Sequence, residues 1–227
     1  MTGESIRIFP LGDSALTVEF GRRVSVDLNK RAIALADHFQ QNSFRGFIES
    51  VPAYASTTIF YDLLEVRRAF TEFSSAFDAV KSTVVEAINN PNTATLKNSR
   101  TIEIPVDFNN KHALDLDFVA EQCNLSPNKV IEIFTAANYR VFMLGFLPGF
   151  TYMGEVDERI ATPRRETPRT LVPKGSVGIA GRQTGIYSLA SPGGWQIIGR
   201  TNVDIFTPNK KLPSLLQPGD EVRFVAA

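Results

Sequence analysis

The stretch 159–202 constrains the fold more than any other part of this 227-residue chain. Seven glycines and four prolines fall within it, between the short β-rich runs VGIA (177–180), GIYSLA (185–190) and WQIIG (195–199). Glycine and proline interrupt helices and turn the chain, so breaks this frequent leave no room for a helix of ordinary length. The pattern predicts many short strands joined by tight corners, in a closed barrel or a sandwich. The run EVRFV (221–225), after a turn at Pro218, Gly219 and Asp220, supplies a last strand.

The residues before this stretch read differently. A strand at 101–106 is followed by two short helices, the first capped by Asp115 and the second opened by Ser126 with Pro127 at its first position. Further upstream, 14–20, 47–51 and 56–61 have strand character. Between them Leu28, Ala32, Leu35, Ala36 and Phe39 recur at helical spacing, with Ser25 as the cap. Val66, Phe70, Phe73, Phe77, Val80, Val84 and Ile88 form a long apolar stripe in which Ser74 and Ser75 offer a break. The order ββαββα predicts an α+β unit with helices on one face of an antiparallel sheet. Segment 89–100, NNPNTATLKNSR, separates the two patterns, which sets the expected domains at 1–98 and 99–227.

Composition narrows the function. Lys plus Arg and Asp plus Glu number 24 each, so no overall field draws the chain to nucleic acid or to an anionic membrane. One cysteine, Cys123, and two histidines, His38 and His112, distant in sequence, give neither a disulfide nor a metal shell, and no metal is expected. The N-terminus lacks a signal-peptide pattern and no run of 18 apolar residues occurs, so a cytoplasmic location is expected. The helix pair over 115–137 has helix-turn-helix spacing, but its second helix offers only Lys129, opposed by Glu132, and packing is the better reading. No G-x-S-x-G elbow, P-loop or G-x-G-x-x-G fingerprint is present.

Local charge stands out instead. Arg159, Arg164, Arg165, Arg169, Lys174, Arg182 and Arg200 share 159–202 with the single acid Glu166, a local net charge of +6 among the glycines. Arginine forks and bare backbone N–H groups are the usual grip on carboxylate or phosphate, which points to an anion pocket. The competing reading is a set of exposed loop cations around a Gly-rich barrel. Trp195 alone reads as a core anchor and, beside such a pocket, as a wall.

The runs YRVFMLGFLPGFTYMG (139–154), ATPRRETPRTLVPKGSVGIAGRQTGIYSLASPGGWQIIGRT (161–201) and LLQPGDEVRFV (215–225) closely resemble the PxpB/KipI family. That family is also labelled allophanate hydrolase subunit 1 and includes the carboxyltransferase segment of urea carboxylase. PLGDSALTVEFG (10–21) and SVPAY (50–54) extend the resemblance over nearly the whole chain. It implies a ferredoxin-like domain at 1–98 and a cyclophilin-like β-barrel at 99–227. It also implies work in an ATP-dependent 5-oxoprolinase that opens 5-oxo-L-proline to L-glutamate, with a PxpC-like homologous subunit and a PxpA-like protein as partners. ATP, with Mg, would be shared with the partner subunit, and the chain alone would be inactive.

Two other roles in the family are inhibition of a sensor histidine kinase, as in KipI-like members, and a carboxyltransferase part in urea or allophanate metabolism. Carried onto this sequence, the resemblance implies Arg164, Arg169 and Arg200 as anion contacts, with Lys174 as a further substrate or phosphate contact. Gln183 and Tyr187 would orient an amide or carboxylate, Trp195 would be a wall, and Gly149, Gly175, Gly178, Gly181, Gly193 and Gly194 would be backbone loop positions. Two departures are Phe134, where many relatives carry His, and Leu114, where relatives usually have Pro.

Overall fold

Burial alternates along the strand Ser56–Tyr61: Thr57, Ile59 and Tyr61 are covered and their neighbours less so, as expected of a sheet with one face in a core. That strand is β4 of a front unit, Met1–Asn98; a second unit comprises Ser99–Ala227. The structure, a computed structural model, describes residues 5–90 and 99–227, so most of the boundary segment 89–100 lies outside the described residues.

The front unit runs β1 (Arg7–Pro10), β2 (Ala15–Glu19), α1 (Val26–Gln41), β3 (Phe47–Pro52), β4, α2 (Leu63–Ala69) and α3 (Ala76–Asn89). Its sheet has the order β1-β2-β4-β3, antiparallel throughout. Leu28, Ala32, Leu35 and Phe39 of α1 meet Leu16, Val18, Ile59, Tyr61, Val80 and Val84 in one core. The long apolar stripe is two helices. Ser75 starts the second, accepting a hydrogen bond from the Asp78 N–H at 3.1 Å and donating to the Asp78 carboxylate at 2.6 Å. Ser25 holds the N-cap position of α1, but its side chain makes no capping bond.

The second unit contains β5 (Thr101–Val106), α4 (Leu116–Gln122), α5 (Pro127–Ala136), β6 (Asn138–Leu144), β7 (Thr151–Gly154), a 3-10 turn (Glu158–Ile160), β8 (Arg169–Val172), β9 (Ser176–Ala180), β10 (Gln183–Ile186), β11 (Ser191–Gly193), β12 (Gln196–Arg200) and β13 (Glu221–Ala226). Seven strands form one sheet, β12-β9-β10-β7-β6-β13-β5, and β8 pairs with β11 beside it. Only the β13–β5 pair of the seven is parallel. The sheet curls into a half-barrel until its far edges touch: Asp107, just past β5, exchanges both backbone hydrogen bonds with Arg200 of β12, at 2.8 and 2.9 Å.

Residue alternation gives this sheet two apolar faces. Met153, Val177, Ile179, Ile186 and Ile198 join Val119 of α4, and Val130 and Phe134 of α5, in the larger core. Phe134 is fully buried, stacked on Phe224 with ring centroids 4.9 Å apart. Position 134 is therefore a packing position here. Burial of Val119, Val130 and Phe134 makes α4 and α5 packing helices, while Leu114 is exposed. The opposite face carries Phe150, Tyr187, Trp195 and Ile197, with Leu147 and Tyr152 against them.

Candidate functional site

The second face is aromatic because one strand alternates into it. Phe150 and Tyr152 lie two apart along β7 and its approach, so both point one way while Thr151 and Met153 point the other. Gln183, Gly185 and Tyr187 share a face of β10 and its extension for the same reason. The rings meet edge to face: Phe150 to Tyr187 at 5.1 Å, Phe150 to Trp195 at 5.4 Å and Tyr152 to Trp195 at 5.8 Å. Phe146 sits at the rim, 61% exposed and edge-on to Phe150 and Tyr187, with φ at +65°, a conformation few non-glycine residues adopt.

Two glycines make this packing possible. A Cβ on Gly193 would collide with the Tyr187 hydroxyl, and one on Gly185 would collide with the Thr151 carbonyl oxygen while crowding Phe150 and Trp195. Gly178 brings β9 under Trp195, where a Cβ would stand 3.1 Å from the indole's own Cβ.

Arg164 stands over the Trp195 ring, its guanidinium carbon 5.9 Å from the centroid. Its charge reaches both tyrosines. Burial pushes the Tyr152 phenol above its ordinary pKa while Arg164 pulls it down. Burial also raises Tyr187, opposed by the Trp195 backbone N–H and by Arg164. Both hydroxyls are neutral near pH 7 and so can donate as well as accept. The result is a largely buried aromatic cluster with two phenol groups and one cation at its edge.

Of the seven cations in 159–202, five meet carboxylates. Arg159 pairs with Asp157, Lys174 with Asp204 at 2.6 Å, and Arg182 with Glu155 and with Glu158. Arg165 and Arg169 both bind Asp115. The local +6 is thus largely met by acids from outside that stretch. Arg164 and Arg200 have no carboxylate partner among the described residues. Arg200 donates to the Lys174 carbonyl at 2.9 Å. With Lys174 and Gly175 it marks the end of β12 away from Trp195, about 16 Å along the strand.

The structure therefore brings together Arg164, Tyr187, Trp195, Gly178, Gly193 and Gly194, the last facing Pro168. Gln183 is half-buried on the same strand face, about 13 Å from Tyr187. Lys174, Gly175 and Arg200 form a separate group. Gly181, at φ +59°, lies in the hairpin beside Arg182, and Gly149, at φ +75°, abuts Phe206.

Asp115 was expected to cap α4, and the structure corrects this. It occupies the N-cap position, but its side chain makes no capping bond because it reaches Arg165, Arg169 and Ile197 instead. Tyr152, Phe146 and Gly185, which the motifs contain but to which the sequence assigns no role, also border the aromatic cluster. The spacing of Phe150 and Tyr152 was the available signal. His112 pairs with Asp107 at 2.9 Å and Cys123 is half-buried. Among the described residues no three His, Cys, Asp or Glu side chains cluster so as to hold a metal ion, and no helix is long and apolar enough to cross a membrane.

An antiparallel α/β sheet joined in sequence to a curled, glycine-rich β-sheet with an aromatic cluster and a cation beside it defines the class. Within it, the chain belongs to the family of carboxyltransferase domains, subdomains C and D, whose model matches residues 6–216. It is 44% identical over 220 residues to the B-type subunit of 5-oxoprolinase from Bacillus subtilis (strain 168), covering 96% of this chain and 92% of that one. It is 37% identical over 224 residues to the B-type 5-oxoprolinase subunit of Haemophilus influenzae, covering 97% of each. The solved structure of TTHA0988 matches with a TM-score of 0.79 at 34% identity over 98% of this chain, which spans 40% of that longer protein.

Proposed function

We propose that the chain is the B-type (PxpB-like) subunit of a cytoplasmic, ATP-dependent 5-oxoprolinase that opens 5-oxo-L-proline to L-glutamate. The observation that carries this is the match, at 37–44% identity over nearly the full length of both chains, to proteins named as the B-type subunit of 5-oxoprolinase. In this reading the front unit is ferredoxin-like and the curled sheet is cyclophilin-like. The partners are a PxpC-like homologous subunit and a PxpA-like protein.

The substrate is a small lactam ring bearing one carboxylate, and in this reading the aromatic cluster beside Arg164 is the wall of a cup that takes it. Arg164 is the fork for the anionic group, Trp195 and Tyr152 are walls for the ring, and the Tyr187 hydroxyl and Gln183 amide orient the lactam. Gly178, Gly193 and Gly194 keep the backbone close enough for its N–H groups to contribute. Arg169 supports the cup through Asp115, while Lys174, Gly175 and Arg200 form a second anion contact at the far end of β12.

ATP would supply the phosphoryl group that activates the lactam carbonyl for attack by water. The ring C–N bond then breaks, with the nitrogen leaving and taking a proton, and a second water releases the phosphate. A triphosphate calls for several unneutralised donors, whereas each end of β12 here offers a single cation free of carboxylate. This chain therefore fits one anionic group rather than a whole nucleotide. ATP with Mg is shared with the partner subunit, and the isolated chain is inactive.

The test is co-purification with the partner subunits and an assay of ATP-dependent glutamate release from 5-oxo-L-proline. Activity is expected from the complex alone, and an inactive reconstituted complex removes the reading. Arg164→Ala should raise KM for 5-oxo-L-proline about 10- to 100-fold, the loss of one charge-assisted hydrogen bond. An unchanged KM would remove Arg164 from the site.

A further inference from the structure

The carboxylate of Asp115 is 3% exposed and saturated with donors. One oxygen accepts from Arg165 Nη1 at 2.9 Å and Arg169 Nη2 at 2.6 Å; the other accepts from Arg169 Nη1 at 2.8 Å and the Ile197 N–H at 2.6 Å. That fills the roughly four lone-pair sites of a carboxylate. The backbone N–H of Asp115 donates to the Ile197 carbonyl at 2.7 Å, so α4 and β12 are tied twice.

These partners flank the edge of the cup. Arg165 follows Arg164, and Ile197 lies two residues beyond Trp195. The same loop is fastened to the same strand by the Arg165 N–H on the Gly194 carbonyl at 2.8 Å and the Gln196 amide on the Pro163 carbonyl at 3.0 Å. Residues on both sides of Arg164 are thereby fixed, while its own guanidinium is left without a carboxylate. A buried ion cluster is a poor way to add stability, since apolar residues of like volume often do as well or better. Its distinctive yield is a fixed geometry.

We infer that Asp115 is a positioning residue for the cup: by gripping Arg165, Arg169 and the Ile197 N–H together, it sets where Arg164 stands against Trp195. This rests on the reading of the cup as the site for the substrate's anionic group.

The experiment uses the full chain and its complex with the partner subunits. Trp195 is the sole tryptophan, so its emission and near-UV circular dichroism report this edge directly. Asp115→Asn and Arg165→Lys are compared with Arg164→Ala, each checked for folding by far-UV circular dichroism. The first two should shift the Trp195 signal in the same direction as Arg164→Ala and raise KM for 5-oxo-L-proline about tenfold, with kcat changing less. The double variant Asp115→Asn/Arg164→Ala should be no worse than Arg164→Ala alone, because both act through one guanidinium.

Multiplying losses in the double variant, or an unmoved Trp195 signal and KM in a folded Asp115→Asn, would overturn the inference. If Asp115→Asn does not fold, the same cycle with Arg165→Lys decides, since Lys keeps the charge but loses the fork. If the wild-type complex does not cleave 5-oxo-L-proline, the functional reading fails by itself and the Trp195 signal alone decides the role of Asp115.

Discussion

Among the described residues of the front unit the buried polar side chains are Thr17, Asn29, Ser50 and Thr57, all uncharged; the second unit buries the charged Asp115, Arg140 and Asp220. The front group stitches a helix to a sheet across 14 to 25 positions of sequence. Thr57 donates to the Ala32 carbonyl at 2.7 Å, Ser50 to Ala36 at 2.8 Å, and the Asn29 amide to Ala53 at 3.0 Å. The second group ties segments far apart in sequence: Asp220 holds Arg100, 120 positions away, besides the nearby Gln217 N–H, and Asp115 holds residues 50 to 82 positions away. A unit of long helices and paired strands satisfies its backbone locally and needs only neutral fasteners. A unit of short strands and Gly-Pro corners has loose ends, and charged hydrogen bonds, stronger than neutral ones, fix them.

Each unit has both crowded and open positive-φ glycines, Gly46 and Gly12 in the front unit and Gly175 and Gly181 in the second, and the sharpest pair gives the largest expected effect. Gly12 in the front unit has φ +65° and open space around it, whereas a Cβ on Gly175, φ +82°, would fall inside the Thr201 carbonyl oxygen. Gly12→Ala should cost about 1 kcal/mol from backbone strain alone. Gly175→Ala should cost about 3 kcal/mol or more, because strain and a collision with backbone add. Urea unfolding followed by Trp195 fluorescence and far-UV circular dichroism measures both. Equal losses would show that the close packing of the second unit yields as easily as an open turn.

Next in size is the loss of a fastener. Asp220→Ala leaves Arg100 without its carboxylate and the Gln217 N–H without an acceptor, at a cost of about 2–3 kcal/mol. Thr57→Val removes one neutral bond to a helix carbonyl that the helix already satisfies, at about 1 kcal/mol. The same unfolding measurement ranks them. A Thr57→Val loss matching that of Asp220→Ala would erase the distinction between neutral and charged fasteners.

The same contrast explains what could be read from the residues. The front unit announced itself because its period-two and helical patterns are local, down to the break at Ser74 and Ser75. In the second unit the runs around VGIA and WQIIG gave β9 and β12, yet nothing local foretells that Glu221 pairs in parallel with Thr101. Arg164, Tyr187 and Trp195 were legible as companions through their motifs. A charge count over 159–202 was blind to Asp115, Glu155, Asp157, Glu158 and Asp204, which neutralise most of it from outside. Asp115 looked like a helix cap because it precedes an apolar helical run, and only tertiary contacts reveal that its oxygens are taken.

The smallest expected effect separates two half-buried acids at the starts of their helices. Asp78 of α3 is held below its ordinary pKa chiefly by the Ser75 and Ser74 hydroxyls. Asp157, at the cap of the 3-10 turn, is lowered to about 2, first by the Arg159 side chain and then by the Arg159 N–H. A depressed carboxyl pKa means that the folded state binds the proton less readily than the unfolded chain. Each therefore adds stability that is fully present above the ordinary aspartate value and is lost as pH falls, for Asp157 down through about 2. Salt distinguishes the two causes, since it screens a guanidinium but not a hydroxyl's hydrogen bond. In carboxyl NMR titrations at about 1 M salt, where screening acts within about 3 Å, Asp157 should move up toward the ordinary value while Asp78 hardly moves. Equal movement would mean that both depressions arise from general charge rather than from the hydroxyls on one side and the arginine on the other.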